Sequence, residues 1–265
     1  DERGNTFKNI VYEYNLAQAL ADGKFVKNPA IAYRSDFQAQ GKTDEDIERI
    51  KLEDAISLHE DVKTELEVFA NATGNKKVKP FILIVCKDIA HARDTLSYIQ
   101  SKAFYNGLYA EKVIQIDSSV NDEQNAKLLE TVEHYDNPVE IVIHVNMLAE
   151  GWDVTNLYTI CPLRKADSIK LIEQTIGRGL RLPFKGERVG VDKIDRLTVI
   201  AHDNFQKVIE AAQDPNSILQ RFSFVELNQE NEVAKTEAVV SISTFELGQQ
   251  AEQEVVNQIE EPVKR

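Results

Sequence analysis

The chain has 265 residues, 42% of them apolar and 28% charged, which suits an ordinary globular protein with room for one good-sized domain, appendages and a real core. A formal net charge of −13 argues against a simple basic nucleic-acid-binding domain. The longest apolar runs, at Phe81–Cys86 and Glu140–Val145, are strand-length and far short of the roughly 20 residues of a membrane span.

The opening Asp1-Glu2-Arg3-Gly4-Asn5 has the character of neither a signal nor a transit peptide, and without an initial Met it reads as part of a longer or processed chain. Val11–Leu20 can start a helix, closed by Asp22-Gly23, and Pro29–Phe37 alternates as a strand does. Thr43 with Asp46 makes a capping box, in which hydroxyl and carboxylate satisfy free first-turn amides. Behind it Ile47, Ile50, Ala55, Leu58, Val62, Leu66 and Phe69 recur at helical spacing, so a long amphipathic helix is expected to about Asn71, then a polar basic loop from Gly74 to Lys79.

From there strand and helix alternate. Strands are expected at Phe81–Cys86, Val113–Ile116, Glu140–Val145, Tyr158–Leu163 and Leu197–Ala201, and helices at Ile89–Ile99, Asp122–Val132, Ser168–Ile176 and Phe205–Ala212. Short apolar strands alternating with amphipathic helices imply right-handed crossovers and a parallel sheet covered on both faces. After Asp214-Pro215 the pattern stops. Arg221–Leu227 and Val239–Phe245 have strand character within an acidic stretch. The expected organisation is an entry segment at 1–40, an α/β domain at 41–212, and an acidic linker with the start of another domain at 213–265.

Charge is uneven along the chain. Arg164, Lys165, Lys170, Arg178, Arg181, Lys185, Arg188, Lys193 and Arg196 form a basic stretch, whereas the region beyond Gln213 is acidic. Cys86 and Cys161 both lie in apolar runs, as core thiols of a reducing cytoplasm would. His59, His91, His134, His144 and His202 have no metal-ligand spacing, and no metal site is expected.

Gln40-Gly41-Lys42-Thr43 looks like the end of a phosphate-binding loop, but the position that needs glycine is Asp36, a carboxylate where phosphate would lie, so a polar turn and helix cap is expected instead. No Asp-Glu pair at a strand end is placed to hold magnesium on a triphosphate. The half of a nucleotide machine that binds ATP by itself is missing.

The informative stretch is 145–183. Gln174-Thr175-Ile176-Gly177-Arg178-Gly179-Leu180-Arg181 puts two arginines three apart where an apolar-faced helix breaks at glycines. Arginines so spaced can fork onto the same oxyanions, the layout of arginine fingers on a transferred phosphoryl group. The same residues also suit a solvated helix end with a glycine cap. Upstream, Gly151-Trp152-Asp153 follows the Glu140–Val145 strand. A glycine and an acid after a parallel strand can meet a nucleotide, although Trp152 can also be a core anchor and Asp153 a turn former.

Together these residues resemble the second RecA-like domain of superfamily-2 helicases. Glu150-Gly151-Trp152-Asp153 resembles motif V, Gln174–Arg181 motif VI, and Phe81–Cys86 with Lys87-Asp88 the strand and turn of motif IV; Ile116-Asp117-Ser118-Ser119 resembles the element that touches the nucleic-acid backbone. The phrases HVNMLAEGWDVTNL, LIEQTIGRGLRLP and YEYNLAQALADG are similar to those of the helicase (Res) subunit of type III restriction enzymes. Thr175 departs from the DEAD-box pattern, which has arginine there.

The resemblance implies a RecA-like doubly wound sheet with an N-terminal long helix and a C-terminal extension. It implies that Arg178 and Arg181 reach the γ-phosphate of ATP, bound with Mg mainly by a preceding RecA-like domain. Gly151, Asp153, Gln174 and Gly177 would contact or sense nucleotide; Ser118, Ser119, Asn146 and Thr155 would grip backbone phosphates. Implied partners are DNA rather than RNA and a methyltransferase subunit that recognises the site, with any nuclease beyond Arg265, no membrane, and a cytoplasmic location. The chain alone is expected to be inactive as an ATPase. The alternatives are a non-catalytic nucleic-acid or protein interaction module on the same fold and, more remotely, another nucleotide-binding α/β enzyme.

Overall fold

Among the described residues of the computed structural model, seven parallel strands pair in the order β3-β4-β2-β5-β6-β1-β7. They are β1 (Asn28–Tyr33), β2 (Phe81–Cys86), β3 (Val113–Ile116), β4 (Ile141–Val145), β5 (Leu157–Pro162), β6 (Arg196–Ile200) and β7 (Ser223–Glu226). The helices are α1 (Leu16–Asp22), α2 (Asp44–Thr73), α3 (Ile89–Gln100), α4 (Glu123–Glu130) and α5 (Phe205–Ala212). The structure describes residues 14, 16–116, 123–145, 154–163, 176–177, 179–202, 205–213 and 217–227.

The strands form because their runs are apolar on both sides. Every residue of β2, β4 and β5 is buried, as strands covered on two faces must be. Alternation then splits the core. Leu83 and Val85 point into one cluster with Leu157, Leu197 and Val208 of α5, whereas Ile82, Ile84 and Cys86 point into another with Leu52, Ala55 and Ile56 of α2 and Ala92 of α3. Burial raises the Cys86 thiol to about 12, so it is an inert core group.

The long helix starts and stops where its sequence indicates. Thr43 accepts from the Asp46 amide at 3.1 Å and its own amide donates to the Asp46 carboxylate at 2.9 Å; Gly74, at φ 70°, ends the helix with its N–H on Ala70 O. Gly41-Lys42-Thr43 is therefore turn and cap, as expected from Asp36.

The sheet reaches beyond residues 41–212 on both sides. Asn28–Tyr33 pairs with β6, and Ser223–Glu226 pairs with β1. The expected helix over Ser168–Ile176 lies outside the described residues except at Ile176, and the expected strand at Val239–Phe245 lies outside them altogether. Residues 229–265 form a second unit, none of it described.

Candidate functional site

The chain leaves β2 toward β3 on one side and leaves β5 toward β6 on the other, so the carboxyl ends of β2 and β5 form the switch point of the sheet. A cavity of about 630 Å³ opens there, lined by Lys87, Asp88 and Leu163 and by the first turns of α2 and α3. Its carboxylates (Asp44, Glu45, Glu48, Asp88, Asp94) outnumber its cations, Arg49 and Lys87. Asp88 already caps α3 by accepting from the His91 amide at 2.8 Å. His91 Nδ1 accepts from the Lys87 amide at 3.3 Å, which leaves Nε2 to face Glu48 at 3.0 Å. So acidic a rim does not by itself attract phosphate.

The stretch with the arginines is built differently. Leu180 N donates to Ile176 O at 3.1 Å, a helical bond, and Ile176 and Leu180 are both buried on the sheet. Gly177 and Arg181, each one position on, are exposed. The two glycines differ. A Cβ on Gly179 would lie 2.8 Å from Leu197 Cδ2 and 3.0 Å from Leu157 Cδ2, whereas one on Gly177 would meet nothing within 4 Å. Gly179 is therefore needed for contact between helix and sheet, and Gly177 faces open space.

Beside this contact lies a residue that the sequence reading passed over. Lys27, fully buried, donates from Nζ to the carbonyls of Thr155 (2.7 Å), Leu157 (2.7 Å) and Gly179 (3.2 Å), with the Tyr158 ring 4.1 Å away. Its own N–H donates to Leu180 O at 2.7 Å. Burial pushes its pKa well down, against the pull of Glu133 and Asp195. Nothing in the local sequence marks Lys27, because its partners lie more than a hundred residues away.

Of the residues expected to form the site, Arg181, Gly177 and Thr155 are described. Thr155 gives both its amide (2.7 Å) and its hydroxyl (2.5 Å) to Glu133 Oε1. Arg178, Gly151, Asp153, Gln174, Ser118, Ser119 and Asn146 lie outside the described residues. Three of the histidines read as unremarkable face carboxylates, His59 on Glu140, His91 on Glu48 and His202 on Asp54. Arg34 also meets the buried Asp54, and burial, which raises that carboxyl, is outweighed by the hydrogen bonds of Arg34 and His202, which lower it.

His59, Glu60 and Glu140 stand close enough to share a cation. Glu140 is nevertheless occupied, by His59 Nε2 at 3.0 Å, Lys63 at 2.9 Å and Lys112 at 3.1 Å. Burial raises its carboxyl, but these partners bring it well below the usual carboxylate range. Two ammonium groups on one carboxylate make this an ion-pair cluster and a poor metal site. No helix among the described residues is long and apolar enough to cross a membrane.

Comparison with known proteins bears on the same region. Residues 62–183 match the family model of the helicase conserved C-terminal domain. The Res subunit of the type III restriction-modification enzyme EcoPI, from Escherichia phage P1, is 33% identical over 36% of this chain and 11% of that subunit. The Res subunit of EcoP15I, from Escherichia coli, is 31% identical over 46% of this chain and 12% of that subunit. The chain thus spans about a tenth of the length of the curated relatives it matches. Among solved structures it is similar to S. cerevisiae Dbp5 bound to RNA and ADP BeF3, at 15% identity and a TM-score of 0.46, over 84% of this chain and 46% of that one. The segment 62–183 is a helicase C-terminal domain, with the α/β fold expected for it.

Proposed function

We propose, with the helicase C-terminal domain of residues 62–183 as premise, that this chain is the second motor domain of an ATP-dependent DNA helicase or translocase of the type III restriction kind. Its substrate is ATP, held with Mg mainly by a preceding RecA-like domain. Arg178 and Arg181 act as fingers that neutralise charge on the transferred γ-phosphoryl group. Gly151, Asp153, Gln174 and Gly177 contact or sense the nucleotide, and Ser118, Ser119, Asn146 and Thr155 belong to the nucleic-acid track. DNA rather than RNA is the track, a methyltransferase subunit supplies site recognition, and the complex works in the cytoplasm, in keeping with Cys86 and Cys161 being buried thiols.

The observation that supports this reading best is the way the 176–181 stretch is seated. Ile176 and Leu180 are buried, Gly179 leaves no room for a side chain, and Gly177 and Arg181 are exposed. A helix end whose backbone is seated on the sheet keeps an exposed cation in a fixed place relative to the strands, which is what a group aimed at a ligand held elsewhere requires.

In the full-length protein, Arg178→Ala and Arg181→Ala should each lower ATP turnover by on the order of 10³–10⁵, the loss seen when a finger is withdrawn in related chemistry. Affinity for DNA should be largely kept. Steady-state ATPase and DNA-binding titrations check this, and wild-type turnover in both variants would sink the reading.

A further inference from the structure

The geometry points to Lys27 as a positioning residue for the arginine pair: its buried ammonium fastens the backbone between Arg178 and Arg181 to the strand that follows the Gly151–Asp153 segment. The inference rests on the motor-domain reading above and adds to it a residue outside the matched segment 62–183.

Three features support it. The first is the count of donors and acceptors. An ammonium carries three N–H groups, and Lys27 Nζ meets three carbonyls, those of Thr155, Leu157 and Gly179, within 3.2 Å. A neutral amine has only two N–H groups and would turn a lone pair toward the third carbonyl. The Tyr158 ring, 4.1 Å from Nζ, favours the cation as well.

The second is where those carbonyls lie. Thr155 and Leu157 flank the start of β5, directly after the Gly151–Asp153 segment, whereas Gly179 sits between the two arginines. The same residue also bonds Leu180 O through its main-chain N–H at 2.7 Å. One residue thus holds both Gly179 and Leu180, the two positions between Arg178 and Arg181.

The third is that Lys27 is itself fixed on either side. Arg188 Nε donates to Val26 O at 2.8 Å, and Asn28 N donates to Asp195 O at 2.6 Å as β1 begins. A clamp whose own backbone is tied to the sheet transmits the sheet's position to the arginines.

The test compares single-turnover ATP hydrolysis by the full-length protein carrying Lys27→Met, Arg181→Ala, or both. Lys27→Met keeps the length of the side chain and removes its charge and donors. It should lower the rate by on the order of 10²-fold, the effect of an ångström-scale misplacement, with KM for ATP within about twofold. In the Arg181→Ala background it should cost much less than in the wild type, because a residue acting through the arginine has little left to position. A residue that merely supports the fold would lower both backgrounds alike.

Unchanged turnover in Lys27→Met, or losses that simply add, would overturn the assignment. If Arg181→Ala itself turns over like the wild type, the finger reading fails and takes this inference with it; if Arg181→Ala is impaired and Lys27→Met is not, only the inference about Lys27 fails. Near-UV circular dichroism reports folding, and Lys27→Gln serves where Lys27→Met does not fold. Collapse of both variants would make Lys27 a folding residue alone and would also overturn it.

Discussion

Among the charges buried at the amino-terminal edge of the sheet, Lys27 just before β1 and Glu140 just before β4 are satisfied in opposite ways. Lys27 gives its hydrogen bonds to main-chain carbonyls, from segments more than a hundred residues away. Glu140 meets side chains: His59 and Lys63 from α2, and Lys112 from the approach to β3. An ion-pair cluster of the second kind joins elements, and each of its members can be exchanged at a cost in stability. The first kind holds the path of the backbone, and here the backbone it holds lies between two arginines. The Glu140 cluster serves stability, and the Lys27 contacts serve geometry.

The largest effect on stability is expected from Glu140→Gln. It leaves Lys63 and Lys112 facing an uncharged amide and should cost about 2–3 kcal/mol, below the about 3–5 of a fully buried pair, since the two lysines are 34% and 30% exposed and can turn to solvent. The sign with pH follows from a carboxyl held below its ordinary 4.5: its contribution is complete above that value and is lost as pH falls toward the folded pKa. Thermal melts of wild type and variant across the acid range should converge as pH falls. Turnover at neutral pH should stay near wild type as long as the variant is folded. A specific loss of turnover here would break the comparison.

Gly179→Ala comes next. Its methyl would enter the space of Leu157 and Leu197, and overpacking of this kind costs about 1–3 kcal/mol. Turnover should fall further than stability explains, because the displaced backbone carries the arginines. Gly177→Ala, two residues earlier, is the smallest effect and of opposite sign in stability. Its space is open and its conformation helical, so alanine should stabilise by about 0.5–1 kcal/mol. If the open space is where nucleotide approaches, turnover should still drop; a variant both more stable and fully active would remove Gly177 from the site.

Much of the fold was legible because its signals are local. The Thr43–Asp46 capping box, the Gly74 stop and the apolar runs of β2, β4 and β5 each depend on residues within a few positions of one another. Reading of the site was less even. The arginine spacing stands out in the sequence, but the two glycines beside it look alike there, and only contact with Leu157 and Leu197 distinguishes them. Lys27 was invisible for the same reason as Glu140: a buried charge is recognised by what surrounds it, and those partners come from distant segments.

The sequence by itself determined the alternation of strand and helix, the caps, and the presence of an arginine pair on a glycine-rich helix end, since period and turn chemistry are properties of neighbours along the chain. Tertiary structure alone decided the order of the strands and the addition of Asn28–Tyr33 and Ser223–Glu226 to the sheet. It also decided which glycine is needed for packing, and that one lysine joins the start of β5 to the stretch with the arginines. These follow from hydrogen bonds and van der Waals contacts across the sheet, and such contacts exist only once remote segments are brought together.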